Sequence, residues 1–215
     1  MNLDPRQSLR RQYEMQALHE AEMLPDPVAQ FGEWYAAAIR DHLPQYDAMT
    51  LATATPEGRP SARMVLLKGF DAQGFTFFTH YQSRKGQELA RNPWAALVFW
   101  WYDQHRQVRI EGTVTPVPPQ ESDEYFRSRP RGSQIGAWAS VQSEWLRGRE
   151  PLQAQIAVLE EQFKGQDVPR PPAWGGFRLE PVQFEFWQGR DNRLHDRIVY
   201  DQKETGVWQM SRLAP

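Results

Sequence analysis

Between residues 48 and 117 the sequence repeats one pattern, in which a short apolar or alternating segment is followed by a turn. Segments typical of strands lie at residues 48–55, 61–70, 75–80, 94–102 and 107–117. The tetrapeptides PEGR and DAQG predict tight turns between the first three of them. Parallel strands need a long crossover between them, and this stretch has only one short helical segment. The pattern therefore predicts an antiparallel barrel with attached helices, a mainly β fold, and excludes a doubly wound sheet.

Helices are predicted around this set of strands. Asp26 before Pro27 marks a helix start, and the apolar residues that follow recur with helical spacing. Four further helical segments are expected near residues 83–92, 120–128, 133–140 and 151–165, and three more strands at 183–189, 193–201 and 206–213. We expect residues 1–25 to form a mobile charged arm and residues 26–215 a single domain.

The composition limits the classes of function. With 25 Lys and Arg against 27 Asp and Glu, the net charge is -2, which disfavours a general binder of nucleic acid or acidic membranes. The absence of cysteine excludes disulfides and thiolate metal sites, and no HExxH motif occurs among the five histidines, so we expect no metal. No apolar leader is present, and the longest apolar run, at 94–102, is too short to span a bilayer. These features predict a soluble, cytoplasmic protein.

Two clusters of cations lie beside predicted helix starts. Ser83 is a good N-cap, with Arg84 and Lys85 in the first turn after it. The pattern is typical of a phosphate site, although a solvated helix start explains it equally well. The second cluster, Arg127, Arg129 and Arg131, precedes Gly132 and Ser133, and Ser133 is expected to cap the next helix. This second cluster favours an anion site.

In two strand segments, the alternation of side chains raises the question of which face of the sheet each cation occupies. On its own, RMVLLK (63–68) is most simply a buried strand with charged ends. Arg63 and Lys68 would face opposite sides of a regular strand, so they serve two groups unless a bulge intervenes. In RLHDR (193–197), a strand would place Arg193, His195 and Arg197 on one face. Either the neighbouring Asp191 and Asp196 neutralise that face, or it forms the wall of a pocket for an anionic planar ligand.

No conventional catalytic set is present, since the chain has neither a cysteine nucleophile nor a GxSxG elbow. Several phosphate-type sites without a nucleophile indicate that a cofactor carries out the reaction.

Taken together, several segments resemble the pyridoxamine (pyridoxine) 5′-phosphate oxidase family. The resemblance is carried, from Arg10 to the last residue, by RMVLLK, SRK, SRPR-x-SQIGAW, WGGFR, EFWQG-x-x-x-RLHDR and the terminal RLAP. Each motif alone is weak, and their order and spacing make the match specific. The resemblance implies a Greek-key split β-barrel and a homodimer with FMN bound at the subunit interface.

The resemblance also implies the site residues. Flavin contacts are expected from Arg63, Met64, Val65, Leu66, Leu67, Lys68, Phe78, Thr79, Arg84, Lys85, Gln107, Gln142, Ser143, Trp187 and Arg197. Substrate contacts are expected from Arg10, Tyr13, Lys68, Tyr125, Arg129, Ser133, Arg193 and His195. Arg193 and His195 are the expected catalytic pair. Phe78 stands where the family often has a tyrosine, so a hydroxyl contact is lost there.

The implied reaction is oxidation of pyridoxamine or pyridoxine 5′-phosphate to pyridoxal 5′-phosphate, with hydride passing to flavin and O₂ giving H₂O₂. Three rival interpretations remain: a flavin barrel acting on another small molecule, a binder of single-stranded nucleic acid, and a dimeric module without chemistry. A yellow protein that releases FMN would exclude the last two.

Overall fold

A computed structural model describes residues 17–204 and 206–215. Arg10, Tyr13 and most of the predicted arm lie outside the described residues. Contacts between Cα atoms divide the chain into two compact units. Unit 1 comprises the described part of Met1–Thr50, together with Ala96–Glu111 and Pro181–Pro215, and unit 2 comprises Leu51–Ala95 and Gly112–Glu180.

The described residues form a nine-stranded sheet. Its strands are β1 (Ala48–Ala54), β2 (Pro60–Leu66), β3 (Gly69–Asp71), β4 (Gly74–His80), β5 (Trp94–Trp101), β6 (Arg106–Pro116), β7 (Trp174–Gln188), β8 (Asp196–Glu204) and β9 (Val207–Arg212). Hydrogen bonds order them β2-β1-β5-β6-β7-β4-β3, with β8 pairing β7 and β9 pairing β8. The pairs β3–β4, β4–β7, β7–β8 and β8–β9 are antiparallel, as the consecutive hairpins predict.

Five α-helices accompany the sheet in the described ranges: α1 (Pro27–Arg40), α2 (Arg84–Arg91), α3 (Pro119–Ser128), α4 (Arg131–Ala139) and α5 (Glu150–Gln162). The predicted caps of the first two are confirmed. Asp26 accepts a hydrogen bond from the Val28 amide, and Ser83 accepts one from the Gly86 amide. These bonds satisfy amides that the helix itself leaves without partners. Among the helices that the structure describes, none is long and apolar enough to cross a membrane.

Unit 1 has an aromatic core. Phe31, Phe99, Phe186 and Tyr200 are fully buried, and the Trp34 ring meets the Phe186 ring edge-on at 5.2 Å. The Tyr200 hydroxyl donates a hydrogen bond to the Leu24 carbonyl at 2.8 Å. This bond gives the one polar atom of a buried ring its partner.

In unit 2 the first residue of β7 packs against the helices α3, α4 and α5. The core there comprises Phe126, Ile135, Leu159, Phe163, Val168 and Trp174. The strand predicted at 183–189 is much longer in the structure, because β7 begins at Trp174. Trp174 is thereby fixed both by strand pairing and by the helical core.

Two further strand predictions, at 61–70 and 193–201, are wrong. The segment 61–70 is not one strand, because β2 ends at Leu66 and β3 starts at Gly69. The segment 193–197 is not extended throughout, because Asp191–Arg193 form a 3₁₀ turn in which Asn192 and Arg193 have φ of 56° and 62°. Strand β8 begins only at Asp196. The strand alternation that would place Arg193 and His195 on one face therefore does not apply.

Candidate cofactor and substrate site

Unit 2 contains a cavity of about 830 Å³ that gathers most of the predicted site residues. Its volume is in the range of small-molecule sites. The predicted residues that line it are Arg63, Met64, Val65, Leu66, Lys68, Phe78, Thr79, Arg84, Lys85, Tyr125, Arg129, Ser133, Gln142 and Ser143. Leu67 is the exception within RMVLLK, since its side chain is buried and does not line the cavity.

The break between β2 and β3 explains how Arg63 and Lys68 of RMVLLK can line the same cavity. Arg63 lies within β2, whereas Lys68 lies in the link after it and donates its backbone N–H to the Thr76 carbonyl at 2.9 Å. Because Lys68 is not part of a regular strand, alternation does not turn it away from Arg63. Both side chains line the same cavity.

A buried carboxylate fixes two of the cavity's arginines. Glu88 on α2 lies 3.4 Å from Arg63 Nη2 and accepts a 2.9 Å bond from Arg84 Nε. Arg63 also donates to the Leu51 carbonyl at 3.0 Å and to the Thr53 hydroxyl at 2.7 Å. The guanidinium of Arg63 is therefore held in place before any ligand arrives, which reduces the entropy lost on binding.

The charge of Glu88 is strongly stabilised. Burial alone would raise the pKa of Glu88, but hydrogen bonds from Ser61, Thr53 and Arg84 outweigh it and lower the pKa to about 2. A carboxylate that accepts several hydrogen bonds is expected to remain ionised. Glu88 is thus a permanent negative charge behind the cations of the cavity.

Lys85 is the most buried cation of the cavity. Its side chain is 7% exposed, and Nζ donates to Gln142 Oε1 at 2.8 Å, Thr79 Oγ1 at 3.0 Å and Ser83 Oγ at 3.2 Å. All three partners are neutral oxygens. Burial, and then the nearby charge of Arg63, lower the pKa of Lys85 to about 8.

The first turn of α2 opens onto the cavity, because Arg84 and Lys85 both line it. The Arg84 amide donates to the Ser143 hydroxyl at 3.2 Å. The positive end of the helix dipole attracts anions, and here two cationic side chains reinforce it. Gln142 and Ser143 therefore contact the same groups that would hold a phosphate.

A stack of aromatic rings forms another part of the wall. Phe78 lies 4.0 Å from Tyr125 and 5.5 Å from Trp174, measured between ring centroids, with planes within 18° of parallel. The Arg129 guanidinium lies 4.6 Å from the Trp174 ring centroid. Its Nη1 is buried and has no hydrogen-bond partner in the described part of the chain. A buried guanidinium nitrogen without a partner is costly, so this position favours an anion that enters the cavity.

The arginine cluster predicted at 127–131 does not act as a unit. Arg131 donates to the carbonyls of Gln166 at 2.9 Å and Phe163 at 2.6 Å, and Arg127 is exposed. Of the three, only Arg129 lines the cavity. Ser133 does line it, but the predicted cap is wrong, because α4 starts at Arg131 with Pro130 as its N-cap.

Unit 1 holds five other predicted residues: Gln107, Trp187, Arg193, His195 and Arg197. Arg197 forms a two-point ion pair with buried Glu185, at 2.7 and 3.1 Å, so a carboxylate of the chain itself faces that cation. Asp196, expected to neutralise the stripe, instead lies 2.7 Å from Arg212 and 3.7 Å from Arg190.

His195 and Arg193 follow the strand break. His195 Nδ1 accepts the Arg190 amide at 3.1 Å, and its ring lies 4.5 Å from the Trp187 ring. Burial first, and Arg193 second, lower the pKa of His195. Arg193 itself is exposed, with the positive φ given above. Half-buried Gln107 lies on β6.

Sequence reasoning missed seven residues of the cavity: Ser61, Ala62, His80, Gly136, Ala137, Ser140 and Trp174. His80 and Trp174 are the two with a titratable or aromatic ring. Burial, followed by the charge of Lys85, lowers the pKa of His80, which favours the neutral ring. The pair Gly175–Gly176 after Trp174 was an available signal. A Cβ at Gly176 would lie 2.6 Å from Val117 Cγ2 and 2.8 Å from Phe78 Cε1, so only glycine lets the aromatic stack close.

The cavity thus offers five cationic side chains and an aromatic wall. Arg63, Arg84 and Lys85 form one group around the start of α2, and Lys68 and Arg129 contribute further charge. Cations with rigid donors bind phosphate, and flat rings bind flat rings. The arrangement therefore fits planar aromatic ligands that carry phosphate.

Comparison with known proteins agrees with these features. Residues 35–163 match the family model described as pyridoxamine 5′-phosphate oxidase. Residues 174–215 match the pyridoxine 5′-phosphate oxidase C-terminal dimerisation region. The pyridoxine/pyridoxamine 5′-phosphate oxidase of Cyanothece sp. is 55% identical over 96% of this chain and 97% of its own length.

Solved structures confirm the mainly β, split-barrel fold class. PhzG from Burkholderia lata, in complex with tetrahydrophenazine-1-carboxylic acid, is 33% identical, with a TM-score of 0.87 over 94% of this chain and 99% of its own. An FMN-binding protein from Nostoc punctiforme, related to pyridoxamine 5′-phosphate oxidase, has a TM-score of 0.69 at 18% identity, covering 93% of this chain and 100% of its own. The relatives match almost the whole length of this chain, and the chain belongs to the pyridoxamine 5′-phosphate oxidase family.

Proposed function

We propose that this chain is an FMN-dependent oxidase that converts pyridoxamine and pyridoxine 5′-phosphate to pyridoxal 5′-phosphate, with O₂ as electron acceptor and H₂O₂ as second product. The observation that carries the proposal is that one cavity holds five cationic side chains beside an aromatic wall, and that the buried Nη1 of one of them, Arg129, has no partner among the described residues. Arg63, Arg84 and Lys85 lie around the start of α2 and suit the phosphate of a cofactor. Lys68 and Arg129 then remain for the phosphate of a substrate.

The residues present fit FMN. Its phosphate suits Arg63, Arg84 and Lys85 around the start of α2, where the helix dipole is also favourable to an anion. Lys85 has only neutral partners among the described residues, so its charge is available to an anion. Bound FMN supplies a hydride acceptor and passes the electrons to O₂.

The substrate phosphate suits Lys68, Tyr125, Arg129 and Ser133. Arg129 Nη1 lacks a partner in the described residues, and a phosphate oxygen would supply it. A grip on the phosphate fixes the distance and orientation of the pyridine ring, which contributes to rate by positioning. The stack of Phe78, Tyr125 and Trp174 keeps the Arg129 side of the cavity rigid.

Arg193 and His195 are the proposed catalytic pair. Arg193 would hydrogen-bond the substituent that reacts, and His195 would assist by hydrogen bonding from its ring. The Arg190 amide donates to His195 Nδ1, which leaves any proton of a neutral ring on Nε2. Arg10 and Tyr13 are proposed to cover the bound substrate.

We further propose a homodimer in which each site takes residues from both copies, with Trp187 and Arg197 serving the flavin. The match of residues 174–215 to a dimerisation region supports the association. A symmetric dimer of this kind would contain two equivalent sites. The cytoplasmic location stays a prediction from the sequence.

The test is an assay in air with pyridoxamine 5′-phosphate, following aldehyde and peroxide together. Equal amounts of pyridoxal 5′-phosphate and H₂O₂ are expected from a yellow protein that releases FMN on denaturation. A colourless protein that takes up no FMN would overturn the proposal. A yellow protein that leaves both phosphorylated substrates unchanged would retain the flavin but transfer the function to another small molecule.

A further inference from the structure

Lys85 combines burial with the absence of a counter-charge. Among residues 17–204 and 206–215, no carboxylate lies within ion-pair distance of its Nζ, which donates only to Thr79, Ser83 and Gln142. Nearby Glu88 is engaged instead with the two arginines. A buried ammonium without a carboxylate loses its proton more easily than one in water.

The chain has four lysines, and Lys85 differs from the others. Lys164 is 73% exposed and forms a 3.1 Å ion pair with Glu161, and Lys203 and Lys68 are exposed. With a pKa of about 8 against 10.5 for an ordinary lysine, Lys85 carries a neutral amine roughly 300 times more often near neutral pH. Only the neutral amine is a nucleophile.

The amine is reachable from the cavity. Lys85 lines the cavity, and its shortest hydrogen bond goes to Gln142, an exposed residue between α4 and α5. If the Gln142 side chain moved away, the lone pair of a neutral Lys85 amine would face the cavity. Arg63 and Arg84 line the same cavity and would attract a phosphorylated molecule to it.

We propose that Lys85 forms a reversible imine with a phosphorylated aromatic aldehyde when no flavin occupies the cavity. The neutral amine attacks the aldehyde carbon, a C=N bond replaces the C=O bond, and the oxygen leaves as water. The ammonium proton has passed to solvent beforehand, and no oxidant is needed. The inference rests on the proposed function, because the product of that reaction, pyridoxal 5′-phosphate, is such an aldehyde.

The consequence is competition between product and cofactor. An imine at Lys85 occupies the cations proposed for the FMN phosphate, so a newly made chain in the presence of excess product would load flavin more slowly. Flavin already bound would exclude the aldehyde. The product therefore acts on the supply of active enzyme, separately from its effect on turnover.

The test uses the full-length chain freed of flavin, treated with pyridoxal 5′-phosphate, reduced with borohydride and mapped by mass spectrometry. We expect the pyridoxyl group on Lys85 at least about ten times more often than on Lys164, a lower limit set well below the roughly 300-fold difference in neutral amine. Prior loading with FMN should reduce labelling of Lys85 by about the same factor. Pyridoxine 5′-phosphate, which lacks the aldehyde, should give no label.

Two variants sharpen the result. Lys85→Arg should remove this label and keep the charge, and Lys164→Arg should leave the labelling of Lys85 unchanged. Equal labelling of all four lysines, or labelling of Lys85 that FMN does not reduce, would overturn the proposal. The assay of oxidase activity is independent, so a labelled Lys85 in a protein without that activity would refute the proposed function and leave the imine site in place.

Discussion

The Arg63 guanidinium and the Glu88 carboxylate lie 3.4 Å apart, so a cation that lines the cavity is paired with a buried negative charge of the same unit. Glu88 also accepts hydrogen bonds from Thr53 and Ser61, both at 2.5 Å. The carboxylate limits the repulsion among the cations of the cavity, and it orients Arg63 and Arg84 before the ligand binds. This is a positioning role, since the side chain of Glu88 is 6% exposed and does not line the cavity.

Replacing Glu88→Gln should therefore destabilise the protein in a pH-dependent way. The pKa of Glu88 is about 2 in the fold, below its value in the unfolded chain, so the ionised carboxylate stabilises the fold above about pH 4.5. That contribution is about 3 kcal/mol near neutral pH and is lost as the pH falls from 4.5 toward 2. Urea unfolding should show the variant less stable at neutral pH, with the difference shrinking in acid.

Glu160→Gln serves as the control, because Glu160 is an exposed residue of the same kind on α5. Its unfolding free energy should follow that of the original protein at every pH. A difference between Glu88→Gln and the original protein that stays constant from neutral to acidic pH would show that the carboxylate charge is not what Glu88 contributes.

Arg129→Ala should weaken binding of the phosphorylated substrate and change turnover much less. The lost contact is a hydrogen bond to a charged group, worth about 1.5–3 kcal/mol, which corresponds to an increase in KM of about 10- to 150-fold. Steady-state kinetics with pyridoxamine 5′-phosphate measures it. Arg127→Ala is the matched control, since the Arg127 side chain is exposed and donates only to the Asp123 carbonyl. Equal KM values for the two variants would remove Arg129 from the phosphate grip.

Two helix starts and the tight turns were predicted correctly from the sequence, because neighbouring residues determine them. The caps at Asp26 and Ser83, and the strands on either side of Gly58 and Gly74, follow from side-chain hydrogen bonds and from positive φ. The family resemblance then located most residues of the cavity, including Gln142 and Ser143, for which no local pattern gave a reason.

The failures come from tertiary contacts that no local pattern contains. Alternation predicted that RLHDR is extended, but the chain turns at Asn192 and Arg193 before β8 begins. The partner of Arg197 is Glu185, twelve residues earlier on the neighbouring strand, whereas the expected neutralising residues were close in sequence. Trp174 was missed because its place in the cavity depends on packing against Phe78 and Tyr125.

Gly176→Ala should destabilise unit 2 and disturb the aromatic wall. The new Cβ would lie 2.6 Å from Val117 Cγ2 and 2.8 Å from Phe78 Cε1, so the ring of Phe78 must shift. Overpacking of this kind costs about 1–3 kcal/mol, measured by urea unfolding. Gly132→Ala, in the first turn of α4, has nothing within 4 Å of the new Cβ and should stabilise by about 0.5–1 kcal/mol. Equal unfolding free energies for Gly176→Ala and Gly132→Ala would contradict the close packing of Gly176 against Phe78 and Val117.

Mixing two variants tests whether each site takes residues from both copies, provided that the assay uses substrate and FMN concentrations too low for either variant alone to turn over appreciably. Arg129→Ala alters unit 2, and Arg197→Leu alters unit 1. In a mixed dimer with shared sites, one site receives both substitutions and the other receives neither. Random exchange makes half of the dimers mixed, so activity should return to about one quarter of the original value.

Arg197→Leu removes one ion pair of buried Glu185. Among the described residues, Arg109, 3.1 Å away, is then its remaining ion-pair partner. A loss of activity caused by lower stability must therefore be distinguished from a loss caused by a damaged site. The unfolding free energy and FMN affinity of each variant are therefore measured before mixing, and Arg127→Ala replaces Arg129→Ala in a parallel mixture. That control carries an active chain, so its activity should equal the average of its two components both before and after exchange. Recovery in the first mixture alone would establish sites shared between copies. If exchange is shown by mass spectrometry and the first mixture stays inactive, each site is built within one chain, and the proposed interface is wrong.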